Sequence, residues 1–206
     1  MMELLIGKKL GMTQIFEEAG RAIPVSVIQV GPCPVVQIKT PEKDGYAAIQ
    51  IGFQEIKESR AIKPQQGHFA AANLKPHRIL REVRVEDVSE FKVGQAVDLK
   101  MFEGASRVHV AGVTKGRGFA GTTKRHGFST GRATHGNKCH RAPGSVGNCA
   151  SPARIFKGKR MPGRLGGVNR TVKNLQVVQI DAENHLLFVR GAIPGANNGV
   201  VLVRKA

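Results

Sequence analysis

Carboxylates are missing from the middle of this chain: from Gly104 to Ile180 there is no Asp or Glu, although 15 acidic residues occur elsewhere. Paired carboxylates for acid–base catalysis are therefore excluded from that stretch. Tryptophan is absent, tyrosine occurs once, and aromatics reach only 5%, so large aromatic anchors are scarce. Cysteine occurs three times, as Cys33, Cys139 and Cys149. An odd, sparse count argues against a disulfide scaffold and fits a reducing cytoplasm. Long apolar runs are lacking too. The longest uncharged stretch, Ala22 to Ile38, is broken by Pro24, Gly31, Pro32 and Pro34, too short and too interrupted for a membrane helix. Met1 to Gly11 has no signal-peptide layout. These absences predict a soluble cytoplasmic protein with no membrane partner.

Positive charge is what the chain has in excess. Its 32 Lys and Arg give a formal net charge of +17 over 206 residues. The acid-free segment holds 15 of those basic residues; the remainder sets 17 against all 15 acidic ones and is nearly neutral. Unpaired positive charge opposes compaction by self-repulsion and implies a polyanionic partner, nucleic acid before an anionic membrane. Hydrophobic content of 41% still suffices for a core.

The flanks alternate in hydrophobicity and are rich in β-branched residues. Strands are predicted at 4–7, 13–16, 23–30, 35–39, 46–53, 79–85, 96–101 and 107–113, and then at 175–180, 185–190 and 200–203. A short helix is predicted over 67–74. Short strands at regular spacing suggest a small barrel. Between Lys115 and Gly167 apolar residues have no period, glycine recurs, and Phe119, Phe128 and Phe156 are the only aromatics. Such a segment cannot bury a core of its own and reads as an extended arm ordered by a partner. Residues 1–113 with 171–206 are thus expected to form a β body with an insertion at about 54–95, and residues 114–170 a basic extension.

Several motifs invite enzymatic readings that their surroundings do not support. Gly116 to Gly121 fits G-x-G-x-x-G, but Thr122 to Gly127 is a poor helix and no carboxylate follows until Asp181, so a dinucleotide site lacks its parts. A phosphate loop would need Lys at position 122, which is Thr. Gly144-Ser145-Val146-Gly147 resembles a nucleophile elbow, but Pro143 stands where glycine is required. His135, Cys139, His140 and Cys149 lack paired metal-ligand spacing, so no metal and no cofactor is expected. Glu86, Asp87 and Glu90 read as a solvated face. Glycine beside Arg117, with histidine and phenylalanine nearby, offers close backbone approach, phosphate forks and stacking planes together.

The motifs in order resemble a family. Gly7-Lys8-Lys9-Leu10-Gly11-Met12-Thr13-Gln14-Ile15-Phe16 is similar to the opening of the bacterial large-subunit ribosomal protein "L three" family. The resemblance continues through Thr114 to Phe119, Lys124-Arg125, His135-Gly136, His140 to Gly147, Phe156 to Gly163 and Gly191 to Ala196. It implies a mainly β fold, a six-stranded β-barrel body with a minor α/β insertion, and a long irregular basic loop entering 23S rRNA. It also implies early binding near the 3′ end of that rRNA, a loop tip near the peptidyl-transferase centre, neighbouring large-subunit ribosomal proteins as partners, and no catalysis or small-molecule substrate. The expected rRNA contacts are Lys8, Lys9, Lys115, Arg117, Lys124, Arg125, His126, Arg132 and His135. They continue through Lys138, His140, Arg141, Arg154, Lys157, Lys159, Arg160, Arg164 and Arg170. The tip falls at Ser145, Asn148, Cys149, Ala150 and Ser151. Some relatives carry a methylated Gln at the tip; Ala150 stands there here, so that modification is not expected. The family favours Asp or Asn where this chain has His109. Charge alone would also permit a nucleic-acid packaging protein, and the histidines a nuclease using His126, His135 or His140.

Overall fold

The fold follows from two-residue periodicity. In a computed structural model, which describes residues 4–18 and 20–206, twelve strands are seen. They are β1 (Leu4–Phe16), β2 (Ala22–Val30), β3 (Cys33–Lys39), β4 (Ala48–Glu55), β5 (His77–Arg84), β6 (Ala96–Val97), β7 (Arg107–Val113), β8 (Phe119–Ala120), β9 (Gly163–Arg164), β10 (Asn169–Asp181), β11 (Leu186–Arg190) and β12 (Val200–Lys205). Three short helices accompany them: α1 (Pro41–Asp44), α2 (Lys63–Ala70) and α3 (Thr122–His126).

Six strands close a barrel in the order β1-β12-β7-β10-β11-β2, every pairing antiparallel. Its interior is written in alternation. Val108 and Val110, Leu187 and Val189, and Val203 point inward and are fully buried, while the residues between them face out. Each such side chain contributes roughly 1.5–3 kcal/mol of burial free energy. Closure also removes the exposed strand edges that would otherwise template aggregation.

A second sheet, β5-β4-β3-β6, is antiparallel and buries Val35, Ile49, Ile51, Phe53 and Val83. On it Lys39 Nζ lies 2.9 Å from Glu82 and donates to Tyr46 Oη at 2.9 Å, while Tyr46 donates to Glu82 at 2.8 Å. The Tyr46 hydroxyl and the Glu82 carboxylate raise the Lys39 pKa; the same contacts, Lys39 foremost, lower that of Glu82.

The structure corrects several sequence expectations. The strands of this second sheet lie between Cys33 and Val97. The segments 4–7 and 13–16 are one strand, β1, because a bulge between Lys9 and Gly11 absorbs the break in alternation. Strand 96–101 stops at Val97; Leu99 to Phe102 instead make a 3₁₀ turn that buries Leu99 and Phe102. The helix expected at 67–74 lies at 63–70, because Pro64 suits a first helical turn and Phe69 anchors the last. β10 begins at Asn169, six residues before the predicted strand.

The chain divides into two units, one ending at Val113 and resuming at Asn169, the other spanning Thr114–Val168. Val113 and Asn169 are themselves paired between β7 and β10. No helix among the described residues is long and apolar enough to cross a membrane.

Candidate nucleic-acid interface

Residues 114–168 hold their shape through backbone pairing rather than a core. Thr114 N donates to Val168 O at 2.9 Å, and Gly167 N returns to Thr114 O at 3.1 Å. Arg117 N donates to Leu165 O at 2.8 Å, and Leu165 N to Gly118 O at 2.9 Å. β8 and β9 continue this two-stranded stem, with Phe119 opposite Arg164 and Ala120 opposite Gly163. Gly166 is obligatory there: its φ is +74°, and a Cβ would collide with the carbonyl oxygen of Lys115.

Beyond the stem comes α3. The sequence reads poorly as helix, yet Thr122–His126 form one, closed by Gly127 in the left-handed region at φ +71°. Its last residues tie the returning chain, since Arg125 Nη1 donates to Met161 O at 2.7 Å and the His126 Nε2 edge lies 3.0 Å from the same oxygen. Further on, a small ring forms around Arg132. Its carbonyl accepts from Asn137 Nδ2 at 3.1 Å and lies 2.9 Å from His140 Nδ1, while Gly131 N donates to His140 O at 3.0 Å.

Apolar burial is almost nil in this unit: only Ala120 and Thr122 are buried. Every residue from Lys138 to Arg160 is exposed. Phe119 and Phe156 stand 79% and 58% exposed, the second with the Arg154 guanidinium 5.6 Å over its ring. The unit contains no Asp or Glu, and none of its Lys or Arg makes an ion pair among the described residues. A wall of exposed guanidinium, ammonium and imidazole groups beside open aromatic faces suits phosphate forks and base stacking.

The sequence-selected residues divide by location. Lys115, Arg117 and Arg164 are exposed on the stem, and Lys124 on α3. Arg125 and His126 are half-buried and engaged with Met161. Arg132, His135, Lys138, His140, Arg141, Arg154, Lys157, Lys159 and Arg160 are exposed in the irregular part, as are Asn148, Cys149, Ala150 and Ser151. Ser145 Oγ donates to Gly147 O at 3.2 Å. Arg170 belongs to β10, exposed and opposite Gly112. Lys8 is half-buried in β1. Lys9 is only 8% exposed, and its ammonium donates to Ile193 O at 3.0 Å and Gly195 O at 3.4 Å. Both carbonyls belong to the loop between β11 and β12. Among the described residues no group of three or more His, Cys, Asp or Glu could hold a metal ion.

The family model for "Ribosomal protein L3" matches residues 82–186. The chain belongs to this family. Relatives match over nearly its whole length. It is 56% identical to the large ribosomal subunit protein uL3 of Pelotomaculum thermopropionicum, over 98% of this chain and 96% of that protein. It is 52% identical to the uL3 of Acidothermus cellulolyticus, over 98% and 91%, and 50% identical to that of Syntrophus aciditrophicus, over 100% and 94%. Arg107 on β7 and Arg190 on β11 also face outward from the barrel and were not among the residues selected from the sequence. The signal available was strand phase: each alternates with a buried valine.

Proposed function

We propose that this chain is a structural constituent of the large ribosomal subunit that binds 23S rRNA near its 3′ end early in assembly. In this reading residues 114–168 enter the RNA, with the segment from Ser145 to Ser151 turned toward the peptidyl-transferase centre of the cytoplasmic ribosome. Neighbouring large-subunit proteins contact part of the remaining surface. The observation that carries it is the run from Lys138 to Arg160, wholly exposed within a unit that has no carboxylate. A chain of that kind obtains neither burial nor charge balance from itself. Packed RNA offers both, because closely spaced phosphates replace diffuse counterions with fixed Lys and Arg. With ~6–10 phosphates contacted, affinity falls ~10³–10⁵-fold between 50 and 200 mM salt. Recognition is by RNA shape, because the A-form major groove is too narrow for side chains to read.

The test is co-sedimentation with large subunits reconstituted in vitro, followed by a high-salt wash. The protein should remain with the particle; recovery at the top of the gradient under native assembly conditions would refute the reading. Equal affinity for duplex DNA and for a 3′-proximal 23S fragment would favour a packaging protein instead.

A further inference from the structure

The barrel carries a second basic feature, outside residues 114–168. Arg107, the first residue of β7, pairs directly with Gln176 of β10. Val177 pairs with Val189, so the same antiparallel register sets Gln176 against Arg190 of β11. Directly opposed residues project from one face of a sheet. The neighbours Val108 and Val189 are fully buried inside the barrel, so the row Arg107–Gln176–Arg190 faces out, and all three residues are exposed. Arg190 Nη1 donates to Gln176 Oε1 at 3.3 Å. That bond points the amide oxygen at Arg190 and leaves the amide N–H₂ to donate elsewhere.

The wall is indented beside this row. β10 loses register between Val172 and Leu175, and Asn174 takes φ +57°. The bulge is pinned because Asn174 N donates to His109 Nδ1 at 3.0 Å. Bulges of this kind re-aim side chains and open a strand's surface. The result is a cleft of about 740 Å³ that includes Ser106, Asn174 and the row itself, and none of its seven lining residues is acidic. Two guanidiniums thus share a polar cleft with no carboxylate in its lining, an arrangement that an anion relieves.

We propose that this cleft seats a backbone phosphate of RNA, giving the barrel its own anchor independent of residues 114–168. The proposal rests on the RNA-binding reading above and extends it to a site on a different unit. A phosphodiester fits better than an acidic peptide. Guanidinium forks match phosphate oxygens in pairs, and the amide donors of Gln176 and Asn174 suit ribose hydroxyls. Protein interfaces, by contrast, need an apolar centre, and the only aliphatic lining residues, Leu175 and Val177, are turned into the core.

The full-length Arg107→Gln, Arg190→Gln double variant tests this against a 23S rRNA fragment over a salt series. The slope of log affinity against log salt should fall by about one to two, one for each phosphate no longer neutralised, with an unchanged melting temperature. An unchanged slope with unchanged melting overturns the proposal. Should the double variant melt early, the Arg107→Lys, Arg190→Lys variant decides. It keeps the charge and should keep the slope while losing part of the hydroxyl-radical protection on the RNA backbone; full protection counts against the site. Normal RNA binding with loss of a neighbouring protein from reconstituted subunits would assign the cleft to protein and overturn the phosphate. The two readings fail separately: a Lys157→Ala, Lys159→Ala, Arg160→Ala variant that bound RNA as the parent does would sink the role of residues 114–168, whatever the cleft does.

Discussion

A buried ammonium is costly unless bonded, and Lys9 shows how the barrel uses one. It holds the Ile193 and Gly195 carbonyls, while its backbone accepts from Asn198 N at 2.7 Å and donates to Gly199 O at 2.9 Å. Lys9→Met keeps most of the stem and strands those carbonyls. The expected loss is roughly 1–3 kcal/mol of stability in urea unfolding, with the RNA salt slope unchanged because the ammonium is held against those carbonyls. His109 makes the same kind of local sense. Its Nδ1 accepts the Asn174 N–H, as the oxygen of an Asp or Asn could, so the substitution keeps an acceptor at the bulge. Cys33 is buried, its thiol directed at Ile6 O at 3.5 Å, and burial pushes its pKa up to about 12 from 9.0. A raised value favours the folded state while the thiol stays protonated. This contribution is complete below pH 9 and is lost as pH rises toward 12. The urea midpoint should therefore drop across that window, less so in Cys33→Ala. At pH 8 a thiol reagent should label exposed Cys139 and Cys149, and Cys33 only after unfolding.

Among elements, the stem of residues 114–120 and 163–168 has the least support and the most specific backbone. Two adjacent glycines, Gly166 and Gly167, have positive φ, and each sits against a neighbour that a Cβ would meet. Gly166→Ala should splay the stem, because the methyl collides with the Lys115 carbonyl in a backbone region where an L-residue costs ~1–2 kcal/mol. Limited proteolysis should then cut within 114–168 faster, while the melting temperature of the remainder stays put. Uniform destabilisation of the whole chain would contradict this. Element boundaries were legible where period two ran uninterrupted, as in β7, which was predicted over 107–113 without error. They were missed where a bulge shifted the phase, as in β1 and β10, since alternation read linearly sees a break where pairing continues. α3 was missed because its residues have weak propensity; its end is set by Gly127 and its last turn by bonds to Met161.

At the scale of the molecule, the core and the basic segment draw on different residues. The core cluster runs from Leu5 to Val203 and includes nothing from residues 114–168. Stability and RNA affinity should then separate by mutation. Replacing Lys157, Lys159 and Arg160 together with Ala should leave thermal unfolding unchanged, reduce the salt slope by about three, and impair incorporation into large subunits. Early melting of that variant would mean that the basic segment belongs to the stabilising core.

By itself the sequence determined the class of the fold and the chemistry of the partner. Alternation and charge distribution are local properties that add up along the chain, so the β body, the acid-free segment and the family motifs could be read directly. Tertiary structure decided which positive charges face outward. Lys9 looks equivalent to Lys8 in the chain but is spent on the barrel's carbonyls. Arg107 and Arg190 lie 83 positions apart and meet only because β10 brings them to one row. That juxtaposition comes from strand register, and register depends on residues too distant in sequence for any local pattern to record.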